Sequence, residues 1–399
     1  MKRTGARAHK TWLLFLLAAA LAVGAPAPSS HGRVPEGEAP AGPQAPPGAP
    51  ADHAADPAAG ARLYQAACAA CHGADGTGMP RTIVGFEEPL PDFTDCSFAT
   101  REPDADWLAV MHDGGPARGF ARMMPAFGAA LSEEELVLVL AHVRTLCASD
   151  DWPRGELNLP RPLVTEKAYP EDELVYSATV AAEGPGAIEN ELVYEKRFGP
   201  RNQLEIALPF GWRERGSGRD PADWDGGLGD LAIGVKRALW HDLDRGSILS
   251  VTGEVILPTG DQDEGFGKGF TVFEPFVAFG QILPADGFLH LQAGLEIPIG
   301  EKDANDEAFW RAAVGKSFTE GRWGRTWSPM VELLGARELA GGEPVHWDAV
   351  PQFQVTLNTR QHVMANLGVR IPLDDSDRDA EVLVYLLWDW FDGGFLEGW

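Results

Sequence analysis

The chain contains 399 residues, and its 59 acidic and 33 basic side chains give a formal net charge of −26. A balance this negative excludes nucleic acid as a partner, because the phosphates would repel the protein. The chain has only four cysteines. Their spacing is therefore more informative than it would be in a cysteine-rich scaffold.

Residues 1–25 predict a secretory signal peptide. A basic start precedes an apolar run at residues 12–24, and small residues around Ala25 provide cleavage positions. The apolar run is too short for a good membrane anchor. Residues 26–55 are rich in alanine, proline and glycine and predict a disordered tether. The chain is therefore expected to be exported, and export permits disulfides.

The motif Cys68-Ala-Ala-Cys71-His72 predicts covalent attachment of haem. Two thiols three residues apart can reach both vinyl groups of a haem, and the adjacent imidazole can bind the iron from the proximal side. A zinc knuckle or a thioredoxin-type pair shares part of this pattern and is the alternative.

Helical patterns flank the motif. Asp56-Pro57 supplies an N-cap and a proline at the first helical position, so a helix is expected to run from here into the motif. A second helix is expected over residues 103–114. The sequence from Ser132 to Glu135 has the form of a capping box, which opens a terminal helix with apolar residues at helical spacing.

The order of these parts resembles that of a class I c-type cytochrome over residues 57–148. The resemblance implies a cytochrome domain at residues 56–149 that carries one covalent haem c. In that family the sixth iron ligand is a methionine before the last helix, often followed by proline, and Met124 is at the matching position. Such a thioether ligand raises the reduction potential relative to a second histidine. The site residues implied by the resemblance are Cys68, Cys71, His72 and Met124.

Three other residues compete for the sixth position. Met123 is adjacent to Met124, Met79 also precedes a proline, and His112 would give bis-histidine ligation. Met79 follows the haem motif so closely that the chain is still leaving the proximal side, and His112 falls on an expected helix. Position in the chain therefore favours Met124.

Cys96 and Cys147 are the cysteines outside the haem motif. In an exported protein, a disulfide that ties the central loop to the terminal helix is the plain interpretation. Such a bond would stabilise the domain by about 2–4 kcal/mol. Two free thiols are the alternative.

From about residue 171 the helical patterns give way to alternating apolar and polar residues. About twelve such segments follow, each near the length of a tilted membrane strand. The fold class is therefore multi-domain, a small all-α cytochrome domain followed by an antiparallel β-barrel at residues 171–399, with a linker at 150–170. The barrel is expected to be transmembrane, with Leu367 toward lipid and Met364 toward the lumen. A soluble β domain is the alternative.

The connections between the segments alternate in length. Residues 242–246 and 358–361 form short connections, whereas residues 259–269 and 337–348 form long ones. Outer-membrane barrels have this asymmetry, with short periplasmic turns and long external loops. The tryptophans near segment ends, which suit an interfacial girdle, are Trp212, Trp224, Trp240, Trp310, Trp327, Trp347, Trp388 and Trp390.

The last segment departs from the usual barrel pattern. Leu383, Tyr385 and Leu387 give it an apolar side where a polar lumen face is expected. The chain ends on Trp399, an aromatic residue as in many exported barrels, although the residues before it lack the usual alternation.

Two glycine-rich strings, Gly227-Leu-Gly-Asp-Leu231 and Leu257-Pro-Thr-Gly-Asp261, resemble motifs of an outer-membrane barrel family linked to the degradation and transport of aromatic compounds. The order of a cytochrome followed by a barrel is also similar to that of the fused cytochrome–porins of iron-oxidising bacteria. Those proteins pass electrons from external metal to periplasmic carriers. Both resemblances imply a transmembrane barrel.

These features predict an outer-membrane protein whose cytochrome domain lies in the periplasm. A folded domain of about 90 residues is too wide for the lumen, so it should hang below the barrel or plug its periplasmic mouth. The expected function is transfer of single electrons through haem iron, with a periplasmic redox carrier as partner. Membrane lipid and a cationic or small-molecule solute in the barrel are the other expected partners.

Two alternative functions stay open. One is a passive solute-transport barrel with a docking cytochrome domain, and the other is a soluble periplasmic haem enzyme with a β substrate domain. The sequence shows no metalloprotease motif and no nucleophile elbow, so an enzyme is not expected.

Overall fold

The computed structural model describes residues 57–86, 90–182, 186–215, 223–374 and 378–390. The predicted signal peptide, the tether, the N-cap at Asp56 and the chain end at Trp399 lie outside these residues. Among the described helices, none is long and apolar enough to cross a membrane.

A small helical domain opens the described chain. Its helices are α1 Pro57–Ala67, α2 Ala69–His72, α3 Arg81–Val84, α4 Cys96–Ala99, α5 Asp104–Asp113 and α6 Glu133–Arg144, with 3-10 turns at Gly115–Arg118 and Gly155–Leu157. The predicted capping box is confirmed. The Ser132 side chain accepts a hydrogen bond from the Glu135 N–H, and the Glu135 carboxylate accepts one from the Ser132 N–H.

Helices α1 and α6 pack closely and form the core of this domain. A Cβ atom at Gly60 would lie 2.1 Å from the Leu138 carbonyl oxygen, so only glycine permits this approach of the two backbones. Tyr64 is fully buried in the contact, and its hydroxyl donates to the Gly73 carbonyl at 2.8 Å. Packing of α1 on α6 therefore also holds the chain just after the haem motif.

The predicted disulfide is present. Cys96, at the start of α4, is bonded to Cys147, three residues beyond α6, with 5.1 Å between the Cα atoms. The bond closes the central loop of the domain against its last helix.

The second part of the chain is an antiparallel β-barrel. Its strands are β1 Glu173–Ala181, β2 Ala187–Phe198, β3 Asn202–Arg215, β4 Asp223–Leu228, β5 Leu231–Asp242, β6 Ser247–Leu257, β7 Thr271–Leu283, β8 Gly287–Ile299, β9 Glu307–Lys316, β10 Phe318–Thr319, β11 Thr326–Glu338, β12 His346–Thr356, β13 Val363–Pro372 and β14 Glu381–Asp389. The first strand pairs with the last, from Glu173 opposite Asp389 to Ala181 opposite Glu381, so the sheet is closed.

The fourteen described strands occupy twelve positions around the barrel. Strands β4 and β5 share one position, because both pair with β3. The two-residue β10 follows β9, and both pair with β11. With these two shared positions, the fourteen strands form a twelve-strand barrel, which confirms the predicted strand number.

The two faces of the barrel have opposite chemistry. Apolar side chains on the outer face are 36–57% exposed, namely Leu192, Leu208, Ile233, Val251, Val277, Leu291, Val331, Phe353, Leu367 and Val384. Polar and charged side chains on the inner face are buried, namely Asn190, Glu195, Gln203, Glu205, Lys236, His290, Gln292, Glu332, Gln352 and Asn366. This arrangement is the reverse of that in a water-soluble domain. Leu367 faces outward and Met364 packs inside, as predicted.

The predicted tryptophan girdle is present only in part. Trp212, Trp224 and Trp240 expose 39–43% of their surface near strand ends. Trp390, in contrast, is only 3% exposed and stacks on Tyr194 at 5.9 Å between ring centroids. Its ring is therefore packed within the barrel end and does not belong to an outer belt.

The connections alternate in length as the sequence predicts. Residues 199–201, 243–246 and 284–286 are short turns at one end, whereas residues 258–270 and 300–306 are longer loops at the other. Because β1 begins and β14 ends at the same place, both ends of the barrel chain lie at the short-turn end.

Residues 157–172, which the sequence predicted as mostly linker, lie inside the barrel and are called the lumen segment below. Nearly all of these residues are buried or half-buried. Leu157 packs against Ala238, Ile248 and Ala278 of β5, β6 and β7. Leu163 packs beside Tyr385 and Leu387, so the apolar inner face of the last strand has a partner within the barrel.

The helical domain contacts the short-turn end of the barrel. The Arg118 guanidinium donates to the Trp323 carbonyl at 2.8 Å, and Arg322 forms an ion pair with Glu133 at 2.8 Å. The Arg360 guanidinium lies 4.6 Å from the Phe120 ring centroid. The barrel residues in all three contacts belong to short turns, so the helical domain packs against the short-turn end of the barrel.

A buried histidine joins the two parts at the same mouth. His362 lies between a carboxylate of the helical domain, Glu102 at 2.9 Å, and one of the barrel, Asp389 at 3.5 Å. Arg101 reaches across to Asp172 at 2.7 Å, where the lumen segment enters β1. The contact is thus built largely from charged groups.

The disulfide gives a first testable prediction. Replacing both cysteines, Cys96→Ala and Cys147→Ala, should lower the free energy of unfolding of the helical domain by about 2–4 kcal/mol, because the unfolded chain regains the freedom of a long loop. Denaturant unfolding of the full chain in detergent, followed by haem absorbance, measures the change. Ser97→Ala, beside the bond, is the control and should cost about 1 kcal/mol or less. Equal midpoints for the double variant and the wild type would contradict the prediction.

Candidate haem site

The haem motif forms a single turn of helix directly after α1. The N–H groups of Cys71 and His72 donate to the Cys68 carbonyl at 3.1 and 2.9 Å. Residues three apart in such a turn lie on one face, so the two thiols point to the same side. Gly73 ends the turn at φ 77°, a conformation that favours glycine.

The His72 ring lies against an aromatic wall. It stacks on Phe93 with 4.8 Å between the ring centroids and 24° between the planes. Its Nδ1 is buried and has no hydrogen-bond partner in the described part of the chain. Burial lowers the pKa of His72, which favours the neutral imidazole that binds iron.

The two motif cysteines are free thiols. Burial, and then the neighbouring Cys71, raises the pKa of the Cys68 thiol to about 11, so this sulfur is not a thiolate at neutral pH. Cys96 and Cys147 are bonded to each other and cannot complete a four-cysteine zinc site. The disulfide thus removes two of the four ligands that a zinc site of this kind needs.

Of the two adjacent methionines, only one turns toward the haem motif. Met124 packs on the apolar cluster that contains Tyr64 and Phe93, whereas Met123 is 42% exposed. Cys68 packs on the same cluster. The structure therefore brings the candidate ligand loop and the haem motif to the same apolar cluster.

The other two candidates for the sixth ligand have different surroundings. The His112 Nδ1 lies 2.6 Å from the Asp113 carboxylate, and its ring packs against Gly128. The Met79 N–H donates to the Cys71 carbonyl, so this residue stays beside the haem motif. Neither packs on the cluster that receives Met124.

These residues fit a covalently bound haem. Two free thiols lie on one face of a turn, a buried imidazole nitrogen has no hydrogen-bond partner among the described residues, and a thioether packs on the same apolar cluster. The aromatic and aliphatic side chains of that cluster supply the apolar surroundings that a porphyrin ring requires. The donor set of nitrogen, thioether and two thiols is that of a c-type haem.

The two glycine-rich strings of the barrel are hydrogen-bonded to each other. The Asp230 carboxylate accepts hydrogen bonds from the N–H groups of Gly260 and Lys268 at 2.9 and 2.6 Å. The Thr259 hydroxyl accepts one from the Leu231 N–H at 2.8 Å. A Cβ atom at Gly260 would lie 2.5 Å from a backbone oxygen, so the contact requires glycine there. The motifs thus fix a long loop to the barrel wall.

The sequence did not predict the charged contacts inside the barrel. The Arg161 guanidinium donates to Glu173 at 2.5 Å and to Glu195 at 2.7 Å, and Lys167 pairs with Glu171. Each of these side chains is at most 10% exposed. Several inward carboxylates at alternate strand positions were the available signal, because buried charges need opposite charges nearby.

A small helical domain with this donor set, packed on a closed twelve-strand barrel, defines a class of protein. It consists of a small helical domain similar to c-type cytochromes, joined in one chain to a β-barrel. Residues 55–143 match the family described as "Cytochrome C oxidase, cbb3-type, subunit III", and the match implies haem. Residues 177–326 match the family described as "Putative MetA-pathway of phenol degradation". The resemblances to a c-type cytochrome and to the barrel family of the glycine-rich strings are confirmed, whereas the comparisons do not confirm the resemblance to the fused cytochrome–porins.

Several solved structures have a fold similar to part of this chain. They include an outer membrane channel from Pseudomonas putida F1, at 12% identity, with 57% of this chain and 99% of that chain covered and a TM-score of 0.42. The NanC porin has 10% identity, coverage of 54% and 98%, and a TM-score of 0.38. The KdgM porin in complex with disordered oligogalacturonate has 8% identity, coverage of 54% and 98%, and a TM-score of 0.36. No curated protein matches the sequence.

The two methionines provide a matched test of the sixth ligand. Met124→Ala should remove the thioether and lower the reduction potential by on the order of 0.1 V or more, since axial ligands set haem potentials over a wide range. Met123→Ala, on the exposed neighbour, should leave the potential unchanged. Redox titration and the charge-transfer band of methionine-ligated ferric haem measure both. An unchanged band in Met124→Ala would refute the assignment.

Proposed function

We propose that the protein is an electron carrier of the outer membrane, with one covalent haem c held at the periplasmic mouth of a transmembrane barrel. One observation carries the proposal. Cys68 of the haem motif and Met124 pack on one apolar cluster, in a domain that hydrogen bonds and ion pairs hold against the short-turn end of the barrel. Haem iron at such a site gains and loses one electron at a time.

The surface chemistry of the barrel supports membrane insertion. Its outer face exposes apolar side chains around the whole wall, and its inner face is polar and charged. A bilayer would cover the apolar face, while the pairing of β1 with β14 closes the sheet into a barrel, as a membrane-spanning sheet requires. A soluble β domain would instead expose that entire face to water.

The orientation follows from the lengths of the connections. Outer-membrane barrels direct short turns to the periplasm. The helical domain packs on the short-turn end, so we place its haem in the periplasm. An exported chain meets the conditions for covalent haem attachment on that side of the inner membrane.

In this proposal each site residue has a distinct task. Cys68 and Cys71 would attach the haem, and His72 and Met124 would ligate its iron. Phe93 keeps water from the proximal face, because it stacks directly on the imidazole. The chain adds no catalytic step of its own, and its side chains set the potential and the access to the iron.

The electron partner on the haem side is expected to be a periplasmic redox carrier. One haem at the mouth cannot carry electrons across an apolar band about 25 Å tall. Exchange with the outside would therefore need a second carrier or a small solute that enters the barrel from the long-loop side.

Solute transport is the second candidate function. It is favoured by a cavity of about 640 Å³ inside the barrel, lined by Glu166, Glu191, Glu205, Glu254 and Arg311 among others. In that case the cytochrome domain would dock the barrel to a redox partner. Binding of a small cationic or neutral solute without any change in electron transfer would favour this function.

Gel analysis of the outer-membrane fraction tests the main proposal. The sample is run unboiled and boiled in denaturant and stained for haem. A haem-positive band that shifts on boiling is expected, because covalent haem and a heat-modifiable barrel would then be in one chain. A haem-positive band in the soluble periplasm without a shift would overturn the membrane placement.

Two lysine substitutions test the depth of the barrel in the membrane. Leu367→Lys, in the middle of β13 and 57% exposed, should destabilise the barrel by about 2–4 kcal/mol. Leu357→Lys, in the turn after β12 and 45% exposed, should cost about 0–1 kcal/mol, because it lies at the interface. Reversible unfolding from liposomes measures both. Equal costs would contradict insertion at this depth.

A further inference from the structure

The lumen segment contacts the barrel wall at every strand position. Its side-chain and backbone contacts reach Glu173 of β1, Glu195 of β2, Gln203 of β3, Lys236 of β5, Ile248 of β6, Ala278 of β7, His290 of β8, Arg311 of β9, Glu332 of β11, Gln352 of β12, Asn366 of β13 and Tyr385 of β14. A segment that lay along one side of the wall would leave the opposite strands without a contact. This segment therefore crosses the lumen.

Arg161 anchors the middle of the segment through two of its groups, the guanidinium and the backbone carbonyl. Its guanidinium binds Glu173 and Glu195 on β1 and β2. Its carbonyl accepts hydrogen bonds from the Tyr385 hydroxyl at 2.7 Å and from the Asn366 amide at 3.4 Å, on β14 and β13. Four adjacent strands thus hold one residue of the segment.

Glu332 on β11, two strand positions from β13, holds the next part of the segment. Its carboxylate accepts hydrogen bonds from the backbone N–H groups of Leu163, Val164 and Thr165 at 3.0, 3.0 and 2.6 Å. The Thr165 hydroxyl and the Gln352 amide donate to it as well, each at 2.5 Å. Glu332 is fully buried. Three consecutive amides on one buried carboxylate form a latch that is specific to the backbone of the segment.

The space that the segment leaves open lies on its long-loop side. Arg161, Leu163, Val164 and Glu166 of the segment line the cavity of about 640 Å³ on one side. The loop residues 265–268, which belong to a long connection, line it on another. The cavity is thus a vestibule with the lumen segment as its floor.

Within this vestibule the carboxylates around Glu166 do not suggest a cation site. Oxygen atoms of Glu166, Glu195 and Glu205 lie within 4.8 Å of one another. Lys236, fully buried, places its Nζ 3.6 Å from Glu166, and Arg161 binds Glu195. Basic side chains of the protein therefore already compensate this cluster.

We propose that the lumen segment is a plug that closes the pore, and that Glu332 latches it. The barrel is then a blind vestibule open toward the long loops and does not conduct at rest. A solute can bind in the vestibule, but it cannot reach the haem side unless the latch opens. The proposal rests on the proposed function only in placing the barrel in a membrane.

Conductance and liposome swelling test the plug. The purified holoprotein in planar bilayers should show no steady channels, and proteoliposomes should swell slowly in arabinose. Glu332→Ala should raise the swelling rate at least about tenfold, because loss of several hydrogen bonds to a charged group shifts a closed–open equilibrium by that factor or more. Glu338→Ala is the control, since this exposed residue lies on the same strand and contacts Asn305 rather than the segment.

Hydrogen exchange in detergent tests the latch independently of the membrane. The amides of residues 163–165 should be protected in the wild type and lose about tenfold or more of their protection in Glu332→Ala, with an unchanged haem spectrum. Glu332→Gln, which keeps one acceptor oxygen, replaces Glu332→Ala if that variant gives no heat-modifiable barrel, and a smaller loss is expected.

The outcomes separate the plug from the membrane placement. Wild-type liposomes that swell as fast as those with an open porin would overturn the plug while leaving the placement intact. Protein that fails to float with liposomes would refute the placement, and hydrogen exchange would still decide the latch. Unprotected amides at residues 163–165 in the wild type would overturn the latch.

Discussion

The architecture depends on the compensation of charge inside the barrel. Inward-facing carboxylates such as Glu173, Glu195 and Glu332 are fully or almost fully buried, and an uncompensated buried charge costs several kcal/mol. The barrel wall supplies Lys236, but the lumen segment supplies Arg161, Lys167 and the backbone amides bound by Glu332. Charge compensation therefore favours the position of the segment inside the barrel, which explains why a stretch outside the strands is buried or half-buried throughout.

The same segment joins the cytochrome domain to the barrel. It begins at the 3-10 turn Gly155–Leu157, close behind the disulfide, and ends where β1 starts. The Gly155 N–H donates to the Thr100 carbonyl at 2.8 Å, and Arg101 pairs with Asp172 at the other end of the segment. The helical domain is thus tied to both ends of the segment. A change in the docking of the domain would therefore act on the residues that fill the lumen.

The parts of this protein that could be predicted from the sequence are those set by short-range geometry. The thiol spacing of Cys68 and Cys71, the capping box at Ser132 and the twelve alternating segments each follow from one helical turn or one strand, and the structure contains them all. The disulfide between Cys96 and Cys147 could be predicted for a different reason, since these two were the only cysteines outside the haem motif. The alternation of turn lengths likewise follows from the hairpin geometry of neighbouring strands.

Tertiary structure decided the features that join distant parts of the chain. Met123 and Met124 are adjacent residues of the same type, and the sequence alone does not separate them. Only the packing of their loop places Met124 on the cluster around Phe93. The predicted linker became the lumen segment because its amides meet Glu332, nearly 170 positions later in the sequence. The sequence by itself determined the haem motif and the strand pattern, since both repeat over a few residues. Which charges compensate one another inside the barrel depends on strands brought together only by its closure.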